Sequence, residues 1–131
     1  MEKILRIEET NFKKNKKDWN SFEGFQIVTD KQTIKLGISD EQSCCERSGY
    51  FMSNDDIKEF EGANLIDIAI ADTALNVKKL ENEDLYESNL MFVNLNTSEG
   101  LLQFVAYNCH NGYYGHEAVV ISEQLKHEET I

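Results

Sequence analysis

The chain has 131 residues, 40% of them hydrophobic, with 24 acidic groups against 13 basic ones and a net charge of −11. That length fits one domain with a modest core, and seven Phe with five Tyr argue against disorder. The charge argues equally against direct binding to DNA or to anionic lipid.

The imbalance is uneven along the chain. The first 19 residues hold six basic and four acidic groups, which leaves 7 basic and 20 acidic for residues 20–131. Such a body suits approach to a basic surface, including the nucleic-acid channel of another protein; acidic surfaces also simply keep small proteins soluble. The opening MEKILRIEET lacks the apolar core of a signal peptide, and no stretch approaches the roughly 20 consecutive apolar residues of a membrane span. Three cysteines, two of them adjacent, make a poor disulfide framework because an odd number cannot fully pair. A reducing cytoplasm is the expected location, with the thiols free or on metal.

In chain order, residues 1–21 read as a peripheral segment: an edge strand, ILRIEE, then a loop carrying Lys13, Lys14, Lys16 and Lys17. FQIVTDKQTIKLGI (25–38) is two β-prone runs around a polar TDKQ turn, a hairpin. SNDDIKEFEG predicts a helix: Ser53 or Asn54 can cap it, acids fill its first turn, Gly62 can end it, and Ile57, Phe60 and Ala63 share a face. NLIDIAIAD alternates as a half-buried strand with Ile66, Ile68 and Ile70 on one side. ALNVKKLENEDL is a weaker helix. LMFVNLN (90–96) and LLQFVAYN (101–108) form a second hairpin turning at TSEG, and HEAVVISEQL continues as a strand. Residues 124–131, with His127, read as a flexible polar tail. With no proline and no linker, residues 1–131 are expected to form one α+β domain: an antiparallel sheet of hairpins with one or two short helices.

Two stretches carry chemistry. In VAYNCHNGYYGHEAVV, a hairpin symmetric about Tyr113 places His110 opposite His116 and Cys109 opposite Glu117. Opposed residues have Cβ atoms about 4.5–5.5 Å apart, so two imidazoles there can share an ion. Alternation turns Cys109 to the other face; a bulge would return it as a ligand. Cys44 and Cys45, in QSCCE, can converge only in a turn. Two thiolates and two neutral histidines would neutralise Zn²⁺ and fill a tetrahedral shell, and sulfur with imidazole favours zinc over magnesium or calcium. The competing reading makes Cys44 and Cys45 small buried hydrophobes and the histidines a hydrogen-bonded pair.

The combination of SCCE, DDIKEFEGANLIDI and YNCHNGYYGHEAVV resembles a small family carried by phages and prophages, over roughly residues 25 to 122. Its hallmark positions here are Cys44, Cys45, Glu46, His110, Asn111, Gly112, Tyr113, Tyr114 and His116. That family has no established activity, so the resemblance implies a fold and a metal site more than a function.

Small, acidic, single-domain proteins of this kind resemble phage anti-CRISPR and other anti-defence proteins. The first expectation is therefore a binding inhibitor with structural zinc, whose acidic surface occupies a basic nucleic-acid-binding surface of a host protein such as a CRISPR effector nuclease. The second is a zinc-dependent hydrolase with Glu46 as general base on metal-bound water, which needs an open ligand position; no deaminase, GxSxG, HExxH or P-loop pattern supports it. The third is a metal-free phage regulatory module. Tyr50, Phe51, Tyr113 and Tyr114 could form an aromatic contact patch or could cover the protein's own core.

Overall fold

Among the described residues nine strands make one continuous antiparallel sheet: β1 (Glu2–Phe12), β2 (Phe22–Thr29), β3 (Thr33–Ser39), β4 (Arg47–Met52), β5 (Asn64–Ala71), β6 (Asn89–Thr97), β7 (Gly100–Cys109), β8 (Glu117–Ile121) and β9 (Lys126–Thr130). Their lateral order is β4-β7-β6-β5-β1-β2-β3-β8-β9. The computed structural model describes residues 2–13, 21–39, 47–82, 89–109 and 117–131.

The hairpins expected around TDKQ and TSEG are present. Val28 pairs with Thr33 across the TDKQ turn, and Thr97 pairs with Gly100 across TSEG. In each, apolar, β-prone runs flank a polar turn, so local pattern and long-range pairing agree.

The α+β expectation is wrong: the described residues are nearly all β. The predicted helix over 53–62 is reduced to a single 3-10 turn, Ile57–Phe60, capped by Asp56 with no side-chain hydrogen bond. The other helix is the short α1 (Val77–Asn82). A helix of two or three turns gains most of its stability from a packed apolar face. Here only Phe60 in that turn is buried, and Ser53 is committed elsewhere, its hydroxyl accepting from the Gln103 amide. Gly62 ends the turn as expected, at φ +93°.

Three further expectations change. First, β1 is not an edge but the middle strand, pairing with β5 through Glu2 and Lys3 and with β2 from Ile4 to Phe12. Ile4, Ile7 and Phe12 are buried, but an alternating pattern reports the burial of a face and not which strands pair on either side. Second, a register shift between Leu65 and Asp67 breaks the alternation of β5, so Leu65 and Ile68 are buried while Ile66 is 54% exposed. Such a bulge adds one residue against its partner strand and resets which face follows. Third, residues 126–130 form β9 against β8, and the Asn108 side-chain amide donates to the Ile131 carbonyl at 2.9 Å.

The sheet folds over so that both halves share one core. Phe25 of β2 meets Phe104 of β7 edge-on at 6.1 Å between centroids and Tyr50 of β4 at 5.5 Å. A smaller cluster, Phe12, Phe22 and Val119, packs on the opposite face of β1, β2 and β8. The segment after β5 covers the outer face of β6 and β7, pinned by the Gln103 side chain: its Oε1 accepts from the Leu75 backbone amide, and its Nε2 donates to the Thr73 carbonyl and to Asn94 Oδ1. Among the described residues no helix is long and apolar enough to cross a membrane.

Candidate functional site

The sequence-predicted ligands Cys44, Cys45, His110 and His116, and the alternative Glu46, lie outside the described residues, as do Tyr113 and Tyr114. The fold fixes where their segments begin and end. Residues 40–46 connect β3 to β4, and residues 110–116 connect β7 to β8. Strands β4 and β7 are ladder neighbours with Arg47 opposite Cys109. Strands β3 and β8 are also neighbours, and the Glu117 amide donates to the Ser39 hydroxyl at 3.3 Å. Each segment therefore joins the same two strand pairs, and their four bordering residues meet two by two. Cys109, the alternative ligand, ends β7 at this place.

The same end of the sheet carries the borders of the remaining segments. Phe12 pairs with Phe22 on either side of the lysine-rich stretch, and Asn89, after residues 83–88, pairs with Asn108. The opposite end is closed by the short connections from Thr29 to Thr33, Thr97 to Gly100 and Ile121 to Lys126. Sheet proteins commonly gather functional residues in loops at one end of a rigid scaffold. Among the described residues no group of three His, Cys, Asp or Glu side chains is placed to hold a metal ion.

The strands on either side of residues 110–116 are not ladder partners: Cys109 pairs with Arg47 and Glu117 with Thr130, so Cys109 does not stand opposite Glu117. β7 lies between β4 and β6, whereas β8 lies between β3 and β9. Phe104 and Ala106 on one face of β7 and Gln103 and Val105 on the other are all buried. A strand covered on both faces belongs inside a sheet, and β7 takes both its partners from its own half. Asn-Gly is a local turn signal and does not dictate which strands pair.

A second feature is a cleft of about 300 Å³ between β1–β2 and β4, reaching to α1. Its floor is aromatic. Tyr50 stacks on Phe104 at 26° and meets Phe25 edge-on, while Phe51 tilts against Tyr107; both therefore cover the protein's own framework. The Tyr50 hydroxyl donates to Glu9 Oε1 at 2.5 Å. Burial, then the hydrogen bond and charge of Glu9 with the charge of Glu23, push the phenol far above its ordinary range. Lys79 Nζ donates to the Met52 carbonyl and to Asp55 Oδ1, both at 2.8 Å, and lies 5.5 Å from the Phe51 centroid. The bond from Lys79, then its charge, holds the Asp55 carboxyl below its usual value.

Sequence reasoning missed Glu9 and Lys79 altogether and saw Asp55 only as a helix-start residue. Glu9 and Tyr50 are 41 positions apart, and no local pattern announces such a meeting. His127, by contrast, sits on β9 with Nε2 3.3 Å from Glu129 Oε2.

No curated protein and no solved structure matches the chain. A family model does, over residues 1–120, a span that includes both cysteine and histidine motifs, strands β1 to β7 and all but the last residue of β8. The chain belongs to the family described as a domain of unknown function, DUF7448.

Proposed function

We propose that this chain is a phage-type binding inhibitor, anti-CRISPR-like, in which zinc held by Cys44, Cys45, His110 and His116 clamps segments 40–46 and 110–116 together. The observation that carries the metal reading is the paired borders of those segments, Arg47 opposite Cys109 and Ser39 against Glu117. Two segments tethered at both ends to the same two strand pairs can contribute ligands to one ion at little extra entropic cost. Two thiolates with two imidazoles supply a closed shell of the structural kind, whose binding free energy adds to folding. A reducing cytoplasm keeps the thiols available for it.

The inhibitor reading rests on the net charge of −11, the size of the protein and its resemblance to phage anti-defence proteins. A rigid acidic body meets a basic nucleic-acid channel quickly and displaces the phosphates that channel is built to hold. The partner is a host protein, a CRISPR effector nuclease being the leading choice.

Metal analysis of the untagged protein tests the first part. Zinc is expected at one ion per chain and is lost in Cys45→Ser and in His116→Ala; a zinc-free wild-type protein purified under reducing conditions ends the metal reading. The second part is tested by adding the protein to RNA-guided nucleases and following complex formation and target cleavage. Unchanged cleavage with no complex across the effector classes rejects it.

A further inference from the structure

The cleft beside Tyr50 contains one arrangement twice. At one station a carboxylate, Asp55, and an aromatic ring, Phe51, hold the ammonium of the chain's own Lys79. At the other, Glu9 stands beside the Tyr50 and Phe25 rings. Its carboxylate is oriented by the Tyr50 hydroxyl, and it is exposed. Among the described residues no lysine or arginine pairs with it.

We propose that this second station receives an arginine side chain of a protein partner, its guanidinium paired with Glu9 and laid against the Tyr50 ring. The inference deepens the inhibitor reading and rests on it, because a basic nucleic-acid channel is lined with such side chains. Three features select the occupant. A carboxylate held by a hydrogen bond on one oxygen presents the other outward, and a planar guanidinium matches both carboxylate and ring geometry where an ammonium matches only the charge. Aromatic faces attract cations within about 6 Å of the ring centroid, arginine more often than lysine. Finally, the net charge of −11 draws a basic surface towards the protein and repels an acidic one. Tyr50 is fixed by Phe104 beneath it, so the station needs no rearrangement before binding.

The test uses the full chain and capped tripeptides with a central arginine, lysine or citrulline, followed by amide chemical-shift changes. The arginine peptide is expected to shift resonances around Glu9, Tyr50 and Phe51 saturably. Citrulline, which keeps the shape and loses the charge, is expected to leave them unmoved, and lysine to bind more weakly. Glu9→Gln should weaken the arginine peptide by about fivefold, the size of an exposed charge pair with a cation–π contact. Glu99→Gln, an exposed carboxylate at the far turn, should leave it unchanged. Should Glu9→Gln perturb the fold, as its amide spectrum would reveal, Tyr50→Leu serves instead, with the same weakening expected. Equal responses to arginine and citrulline, equal losses in Glu9→Gln and Glu99→Gln, or no saturable shifts near the cleft overturn the proposal. These readouts do not involve a nuclease, so failure here is separable from failure of the inhibitor reading.

Discussion

Gly24 stands directly opposite Gly37 in the β2–β3 ladder, and neither position has room for a side chain. A Cβ on Gly24 would lie 1.9 Å from the Leu36 carbonyl oxygen, and one on Gly37 would lie 2.7 Å from both the Glu23 carbonyl oxygen and the Phe12 ring. The Phe12 ring is the base of the smaller aromatic cluster, stacked on Phe22 at 5.7 Å. Gly24→Ala is therefore expected to destabilise the protein by about 3 kcal/mol, at the upper end of ordinary overpacking costs. Gly37→Ala should cost less, about 1–2 kcal/mol, because its overlaps with the Glu23 carbonyl and the Phe12 ring are at 2.7 Å, against 1.9 Å at Gly24, and the ring can shift. Urea unfolding of the two variants checks both values; a Gly24→Ala protein as stable as its parent contradicts the close approach.

The Asn108–Ile131 hydrogen bond ties the last strand to the other half of the sheet. Asn108 is 1% exposed and Ile131 5%, so this bond is made away from water. Asn108→Ala leaves a buried carbonyl without its donor and opens a small void, a loss of about 1–3 kcal/mol. Truncation after Gln124 should cost more, since it removes β9 and uncovers the outer edge of β8. Thermal unfolding of both variants measures the order; a truncated protein that melts with its parent would mean that β9 contributes nothing.

The Glu2 carboxylate predicts an acid-side dependence of stability. It is 6% exposed, and it accepts from the Thr29 hydroxyl at 2.5 Å and the Gln124 amide at 2.9 Å. Burial alone pushes its pKa up, but the hydrogen bonds from Thr29, Gln32 and Gln124 and the charge of Lys31 outweigh that, leaving it below the ordinary 4.5. The folded state thus binds this proton less readily than the unfolded chain. Its contribution is complete above the ordinary value and fades as pH falls through the folded one. Glu2→Gln should lower stability at neutral pH and flatten its decline between about pH 5 and pH 3. Parallel curves for parent and variant over that window would locate the acid sensitivity elsewhere.

What the sequence made legible follows from how local each signal is. TDKQ and TSEG lie between β-prone runs that are also ladder partners, so a few neighbouring residues were enough. The middle position of β1 was not legible, because Ile4 and Ile7 report burial and not who stands on either side. In β5 the bulge after Leu65 turned the isoleucine face outward at Ile66, a one-residue shift that no hydrophobic pattern records. The same limit governs the site. Cysteine and histidine types suggest metal chemistry by themselves, but only the pairing of β3 with β8 and β4 with β7 shows that the residues bordering their segments meet. The Glu9–Tyr50 contact had no sequence signal at all.

That pairing makes a sharper prediction than metal loss alone. If Cys45 and His116 serve the same ion, each single substitution removes the whole site, and the second then has little left to remove. Cys45→Ser and His116→Ala should each lower the unfolding free energy, and the double variant should fall short of their sum by about 1–3 kcal/mol. Chelation of the wild-type protein should reproduce either single loss and should leave the variants unaffected. Independent roles, with the cysteine as a buried hydrophobe and the histidine as a hydrogen-bonding group, would instead make the two losses add to within about 0.5 kcal/mol. Denaturant titration of the four proteins, with and without chelator, distinguishes the cases. An additive cycle with no effect of chelator would remove the clamp and leave the paired strand ends as the sole link between the two segments.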